Sequence, residues 1–254
     1  MDRPMTVVAA LMIGRGGSSL PDKNILPVLG HPLLHWTAAA ARRSRYVSRF
    51  YVSSDDDKIL SAAGEAGYQP IVRPPELASA TAQSCDAVRH ALDIIEKDGA
   101  VDVLVVQHAN VGMITEDVID ACIDKLLAHP HLSSVVPSHQ NPEYHPMRAK
   151  RLLPDGSLVN FATGDGPASA NRQDLPTAVF FDHSFWVLRG RSAVFDMNGQ
   201  PPWPCMGSTI GVYETEGCLD VHSLEDLEST ARWLEAHHVP RPDFTRPAFA
   251  AQAD

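Results

Sequence analysis

The chain has 254 residues, 44% of them hydrophobic and 20% charged, a balance that gives a soluble globular protein with a sizeable core. Its formal charge is −10 and no basic run interrupts the acidity, which argues against nucleic acid or an anionic membrane as the main partner. Four cysteines (Cys85, Cys122, Cys205 and Cys218) form no CxxC pair and fit no zinc spacing, so the expectation is reduced thiols in a cytoplasmic protein.

Strand-like and helix-like stretches alternate from the start. Thr6–Ile13 is apolar and rich in valine, too short for a membrane span, and no small-residue cleavage site follows it. Pro32–Ser44 has helical spacing, Arg49–Ser53 reads as a strand, and Asp56–Ala66 as a helix that opens with acids. Pro70–Arg73 is a strand stopped by two prolines, Thr81–Lys97 an amphipathic helix, Val101–Gln107 a continuous apolar strand. Thr115–His129 follows as a helix with Thr115 at its N-cap, then the strand Ser133–Ser138. This alternation implies crossover units and a mostly parallel α/β sheet. The rhythm breaks over residues 141–176, where Ala149–Leu153 and Ser157–Phe161 flank an Asp-Gly turn and predict an inserted β-hairpin arm. Ala178–Arg189 and Thr209–Glu214 return to β pattern, and Ser223–His237 closes the fold as a helix capped by Ser223. Residues 1–238 thus read as one domain, with a loose Pro- and Ala-rich tail over 239–254.

In a parallel α/β sheet, ligands bind outside the carboxyl ends of the strands. There, directly after the first strand, stands "GRGGSSLPDKN", residues 14–24. Glycines let backbone amides approach a phosphate, and Arg15 and Lys23 add charge. A plain tight turn with two exposed cations is the alternative reading. The loop is neither GxxxxGK[ST] nor GxGxxG, so the usual ATPase and dinucleotide fingerprints are absent.

"GRGGSSLPDKNILPVLGHPLLHW" resembles the opening of the acylneuraminate (CMP-sialic acid synthetase-like) cytidylyltransferases. "YVSSDDDKI", "VRPPELASATAQS", "NRQDLPTAVFF" and "CLDVHSLEDLE" continue the match in order, so that it spans Thr6 to His237. The resemblance implies a three-layer, Rossmann-like nucleotidyltransferase sheet, a homodimer formed through the arm, and transfer of CMP from CTP to an acidic sugar with release of pyrophosphate. It implies that Arg15 and Lys23, with the amides of Gly16, Gly17 and Ser18, hold the triphosphate, and that Asn24 faces the nucleotide. Arg73, Ala82 and Ser84 are then cytidine contacts, and Gln107, Arg172 and Gln173 acceptor contacts. Asp220 stands where the family has the first acid of its "DID" metal motif, which implies Mg²⁺, or Mn²⁺ in its place.

The sequence departs from the family in three places. The phosphate loop is one residue shorter and lacks its lysine. His222 replaces the second metal acid, and imidazole is a poor ligand for Mg²⁺. "QHANVGM" replaces "QPTSP", which predicts a different acceptor wall and another nonulosonic or ketodeoxy acid, or a related acid, in place of sialic acid. Two alternatives stay open at this point: the same fold using another nucleotide such as GTP, and a catalytically inactive nucleotide-sugar binding protein.

Overall fold

The computed structural model describes residues 6–17, 20–141, 143–162, 169 and 171–249. The chain starts with β1 (Val8–Ile13), a two-residue ribbon of β2 (Pro27–Val28) and β3 (His31–Pro32), and α1 (Leu33–Arg43). It continues through β4 (Val47–Ser54), α2 (Asp57–Glu65), β5 (Gln69–Val72), α3 (Ser84–Ile95), β6 (Val103–His108), α4 (Glu116–Ala128) and β7 (Ser134–His139). The arm carries β8 (Lys150–Leu152) and β9 (Leu158–Asn160), paired antiparallel around the Asp-Gly turn as the spacing predicts. Then come β10 (Phe180–Phe181), β11 (Phe185–Leu188), α5 (Gly190–Val194), β12 (Ile210–Glu214) and α6 (Leu224–Ala236).

β11, β6, β1, β4 and β5 lie side by side, with β7 beyond β11 and β12 on the far edge of β7. All pair parallel except β11, which runs antiparallel between β6 and β7. The long β stretch predicted over 178–189 is therefore two short strands, both antiparallel to β7, separated by an irregular turn at 182–184.

The three layers follow from the period of the central strand. β1 is buried at every position, as a strand covered on both faces must be. Val8, Ala10 and Met12 pack on one face with Leu34 and Ala38 of α1 and Ile119 and Ile123 of α4. Ala9, Leu11 and Ile13 pack on the other face with Val88, Leu92 and Ile95 of α3. A third cluster joins Val28, Leu33 and Trp36 to Val221, Leu227 and Leu234, and so pins the segment before α6 to the start of α1. The Ser223 side chain accepts from the Asp226 amide, and the Asp226 carboxylate accepts from the Ser223 amide, a reciprocal cap that starts α6 where the sequence predicts it.

Three expectations change. Gln107, expected at the acceptor, is fully buried on the α1 face of β6. Its Nε2 donates to Thr37 O at 2.7 Å and Thr37 Oγ1 at 3.0 Å, and its Oε1 accepts from the Tyr68 hydroxyl at 2.7 Å. Every polar atom of the amide is spent inside the core, so none is left for a ligand. The tail is not loose as far as residue 249: Phe244 packs on the core and stands edge-on to His35, Ala248 is buried, and Arg42 donates to the Arg246 carbonyl at 2.7 Å. Cys85 and Cys205 form a disulfide across 120 residues, against the expectation of four reduced thiols; Cys122 and Cys218 are free. The argument from cysteines to a reducing compartment therefore falls away.

Gln107→Ala is expected to cost about 2–3 kcal/mol in urea unfolding, because it strands the Tyr68 and Thr37 groups in the core. A loss confined to acceptor KM, with stability unchanged, contradicts the structural role. Protein unfolded without reductant is expected to titrate only Cys122 and Cys218 with a thiol reagent, and all four cysteines after reduction.

Candidate active site

The carboxyl ends of β1, β4, β5 and β6 open into a cavity of about 580 Å³. Gly14, Arg15, Gly17, Lys23, Asn24, Arg73, Ala82, Ser84, His108, Asn110 and His222 are among its lining residues. Most residues expected at the nucleotide thus meet around one space. Gly17 has φ +67°, a left-handed backbone that a side chain would strain, which accounts for the glycine at this point of the loop. Ser18 lies outside the described residues.

Three cations face this space, and each is held by a neutral oxygen. Arg15 Nη1 donates to the Ser79 carbonyl at 2.7 Å. Lys23 Nζ donates to the Val221 carbonyl at 3.0 Å. Arg73, itself buried, donates through Nη2 to the Ser53 carbonyl at 2.7 Å and through Nε to Ser53 Oγ at 3.2 Å. None of these three has a carboxylate within ion-pair distance among the described residues. Burial lowers the pKa of Lys23, with Asp220 opposing and Arg15 adding to the fall. Burial likewise lowers that of Arg73, with Asp55 opposing and Arg15 again adding. The cavity is therefore a region of positive potential in an acidic chain, with its cations fixed in place.

The amides contribute less than the sequence suggests. Gly16 N–H donates to Asp55 Oδ1 at 3.1 Å, and Gly16 lies outside the cavity lining, beside Asp56. Asn24 is buried, and its Nδ2 reaches the Arg15 carbonyl at 3.4 Å, so it supports the loop from beneath while one side of it lines the cavity. Asp55 carried no assigned role in the sequence, although "YVSSDDDKI" contained it; its link to Gly16 joins two loops 39 residues apart and leaves no local signal.

Asp220 sits at the rim beside Asn110 and His222. Asn110 Nδ2 donates to its Oδ1, and His222 Nε2 lies 3.2 Å from its Oδ2. Burial raises the pKa of Asp220, and His222, Lys23 and His183 oppose that rise. Among the described residues no group of three His, Cys, Asp or Glu could hold a metal ion. One carboxylate beside a polyanion cavity suits a magnesium ion that takes most of its ligands from phosphate and water. It does not make a protein cage.

The acceptor-side motif is not brought to this cavity. Gln173 is exposed and lines a separate space in the arm with Gln140 and His145, and the Arg172 side chain lies outside the described residues. His108 takes the place the sequence gave to Gln107: one step along β6, on the opposite face, in edge contact with Trp186 at 4.8 Å and beside His183. Strand parity carries this difference, and an all-apolar strand hides which parity faces the ligand. Burial, helped by His183, drives the His108 pKa down to about 4.

The sequence profile of a family described as cytidylyltransferase matches residues 9–153, which run from the second residue of β1 past β7 and so hold the strand ends around the cavity. The chain belongs to the cytidylyltransferase family. It is a nucleotidyltransferase. It is 29% identical over 227 residues to the pseudaminic acid cytidylyltransferase of Campylobacter jejuni, covering 88% of this chain and 94% of that one. Over 90 residues it is 34% identical to the N-acylneuraminate cytidylyltransferase of Escherichia coli, covering 35% of this chain and 22% of that enzyme. A solved CMP:2-keto-3-deoxy-manno-octonic acid synthetase complexed with CTP shares the fold, with a TM-score of 0.67 at 17% identity, covering 92% of this chain and all of that one.

A histidine held neutral by folding loads protons only when the chain unfolds, so His108 lowers stability as pH falls from about 6.5, its unfolded value, to about 4. Above that window both states are neutral and the contribution is constant. His108→Gln is expected to flatten the fall in stability between pH 7 and pH 4.5 by on the order of 2 kcal/mol, read from urea midpoints at both pH values. Equal slopes for the two proteins contradict the assignment.

Proposed function

We propose that this enzyme transfers CMP from CTP to a hydroxyl of an acidic sugar, of the nonulosonic or ketodeoxy class, and releases pyrophosphate. The single observation that carries the nucleotide half is the trio Arg15, Lys23 and Arg73 around one cavity, each anchored by a carbonyl and left without a carboxylate. A nucleoside triphosphate, with its phosphates on Arg15 and Lys23 and its cytidine end beside Arg73, is the ligand that completes such a set. The acceptor half is supported by relatives whose names specify pseudaminic acid, N-acylneuraminate and 3-deoxy-manno-octulosonate.

The parts act as follows. Arg15 and Lys23 hold the triphosphate at the loop, and Arg73 with the segment from Ala82 to Ser84 frames the cytidine end. Charge spreads over the phosphate oxygens as the acceptor oxygen bonds to the α-phosphorus and the bond to the β-phosphate breaks, and fixed cations stabilise that charge without reorganising. His222, exposed at the rim against Asp220, takes the hydroxyl proton, and the carboxylate steadies the imidazolium. Asp220 is also the residue that would anchor a magnesium ion, or manganese; when bound, the ion supplies further neutralisation of the phosphates. Arg172 and Gln173 are assigned to the acceptor, and this reading requires the arm to close on the cavity.

The arm exposes Tyr144, Leu152, Leu158 and Phe161, each more than 60% accessible. A second copy of the chain covers them in the homodimer we propose. CTP consumption places the enzyme in the cytoplasm in this reading. No helix among the described residues is long and apolar enough to cross a membrane.

With CTP, magnesium and a panel of nonulosonic and ketodeoxy acids, pyrophosphate release is expected with at least one acid. Arg15→Ala or Lys23→Ala is expected to lower kcat/KM by about a hundredfold. No release with any acid, or variants as active as the parent, overturns the proposal. Leu152→Glu with Leu158→Glu is expected to shift the mass in light scattering from dimer to monomer.

A further inference from the structure

A second basic pocket lies away from the active site. It has a volume of about 350 Å³ and lies between the last turns of α1 and the docked tail. Arg42, Arg43, Arg241 and Arg246 line it with a single carboxylate, Asp243. Four guanidinium groups around one space are unexpected in a chain of net charge −10.

The way these groups are held repeats the pattern of the nucleotide cavity. Arg42 Nη2 donates to the Arg246 carbonyl at 2.7 Å, and Arg241 Nη1 donates to the Leu29 carbonyl. Neither has a carboxylate partner within ion-pair distance among the described residues. Arg43 pairs with Glu116 through Nε at 2.9 Å, but its Nη2 is buried and without a hydrogen-bond partner. Arg246 meets Asp243 only at 4.0 Å, and its side chain is 84% exposed. Here backbone carbonyls hold Arg42 and Arg241 and leave their charge open to a ligand, while Arg43 keeps one nitrogen free of its Glu116 pair.

The location separates this pocket from the active site. The start of α1 packs, through Leu33 and Trp36, on Val221 beside Asp220. Arg42 and Arg43 sit at the other end of that eleven-residue helix, about 15 Å away along its axis, and Arg241 reaches from the tail to the Leu29 carbonyl before the helix. Phe249, 56% exposed, adds an apolar shelf to the pocket wall.

We propose that this pocket binds a phosphate-bearing small molecule. Planar guanidinium groups match phosphate oxygens two at a time, and the three oxygens and higher charge of a phosphate let it serve more than one guanidinium at once, which a chloride or a single carboxylate does not. The occupant is either a free oxyanion such as pyrophosphate or the phosphate of a nucleotide, whose base then rests on Phe249. Neither the fold of the active site nor its chemistry is needed for this binding.

The test uses the full chain with Arg15→Ala and Lys23→Ala, which weakens the first cavity, and titrates inorganic pyrophosphate and CMP separately by calorimetry. A saturable site is expected to remain. Adding Arg246→Gln is expected to weaken it about tenfold, and adding Arg241→Glu with Arg246→Glu to abolish it. Arg246→Gln keeps the backbone carbonyl that Arg42 uses, so it decides the matter even if the double change prevents folding. Tighter binding of CMP than of pyrophosphate identifies a nucleotide as the occupant, and the reverse identifies a free oxyanion. No saturable binding, or binding that Arg246→Gln leaves unaltered, overturns the proposal. Because Arg246 lines this pocket and not the first cavity, the effect of Arg246→Gln does not depend on whether CTP is the substrate.

Discussion

The structure turns on how a cation can be kept both fixed and uncompensated. An acidic protein that must attract a polyphosphate cannot let its own carboxylates occupy the binding groups. The solution at this site is the carbonyl oxygen. Ser79, Val221 and Ser53 supply dipoles that orient Arg15, Lys23 and Arg73 without cancelling their charge. The cost is visible in Lys23 and Arg73, whose charged forms are disfavoured by burial and by the nearby Arg15. A ligand carrying several negative charges relieves that cost.

The fold's task is to bring those three carbonyls to one place. They come from distant stretches: the loop after β5, the segment before α6, and the end of β4. Parallel strands make this possible because β1, β4, β5 and β6 all end at the same edge. The third hydrophobic cluster does the rest. Val221 is fully buried against Leu33 and Trp36, so its carbonyl is held where Lys23 can reach it, and Asp220 is carried to the rim with it.

Much of this was legible in the sequence. The alternation of strand and helix predicts the layers, the glycines and cations after the first strand predict where the cavity lies, and Ser223 predicts the start of α6. What was hidden has physical reasons. The strand carrying Gln107 is apolar from Val103 to Val106, so periodicity cannot say that Gln107 faces Tyr68 while His108 faces the cavity. The Cys85–Cys205 link and the Gly16–Asp55 contact are tertiary pairings, and spacing alone does not encode them. The tail looked loose because proline and alanine dominate it. Phe244 nevertheless finds the edge of His35, and Arg42 finds a tail carbonyl.

The two halves of the active site differ in how they respond to protons. The nucleotide side is built from arginines, a lysine and carbonyl groups, and carbonyls do not titrate near neutrality. The rim is different: burial raises the pKa of Asp220, and His222, which lies against it, Lys23 and His183 oppose the rise. His108, held neutral with a pKa of about 4, divides the two. The replacement of a second metal acid by His222 then has a physical meaning. It exchanges one negative charge beside the phosphates for a group that can take a proton, and so lowers the repulsion that the incoming triphosphate must overcome.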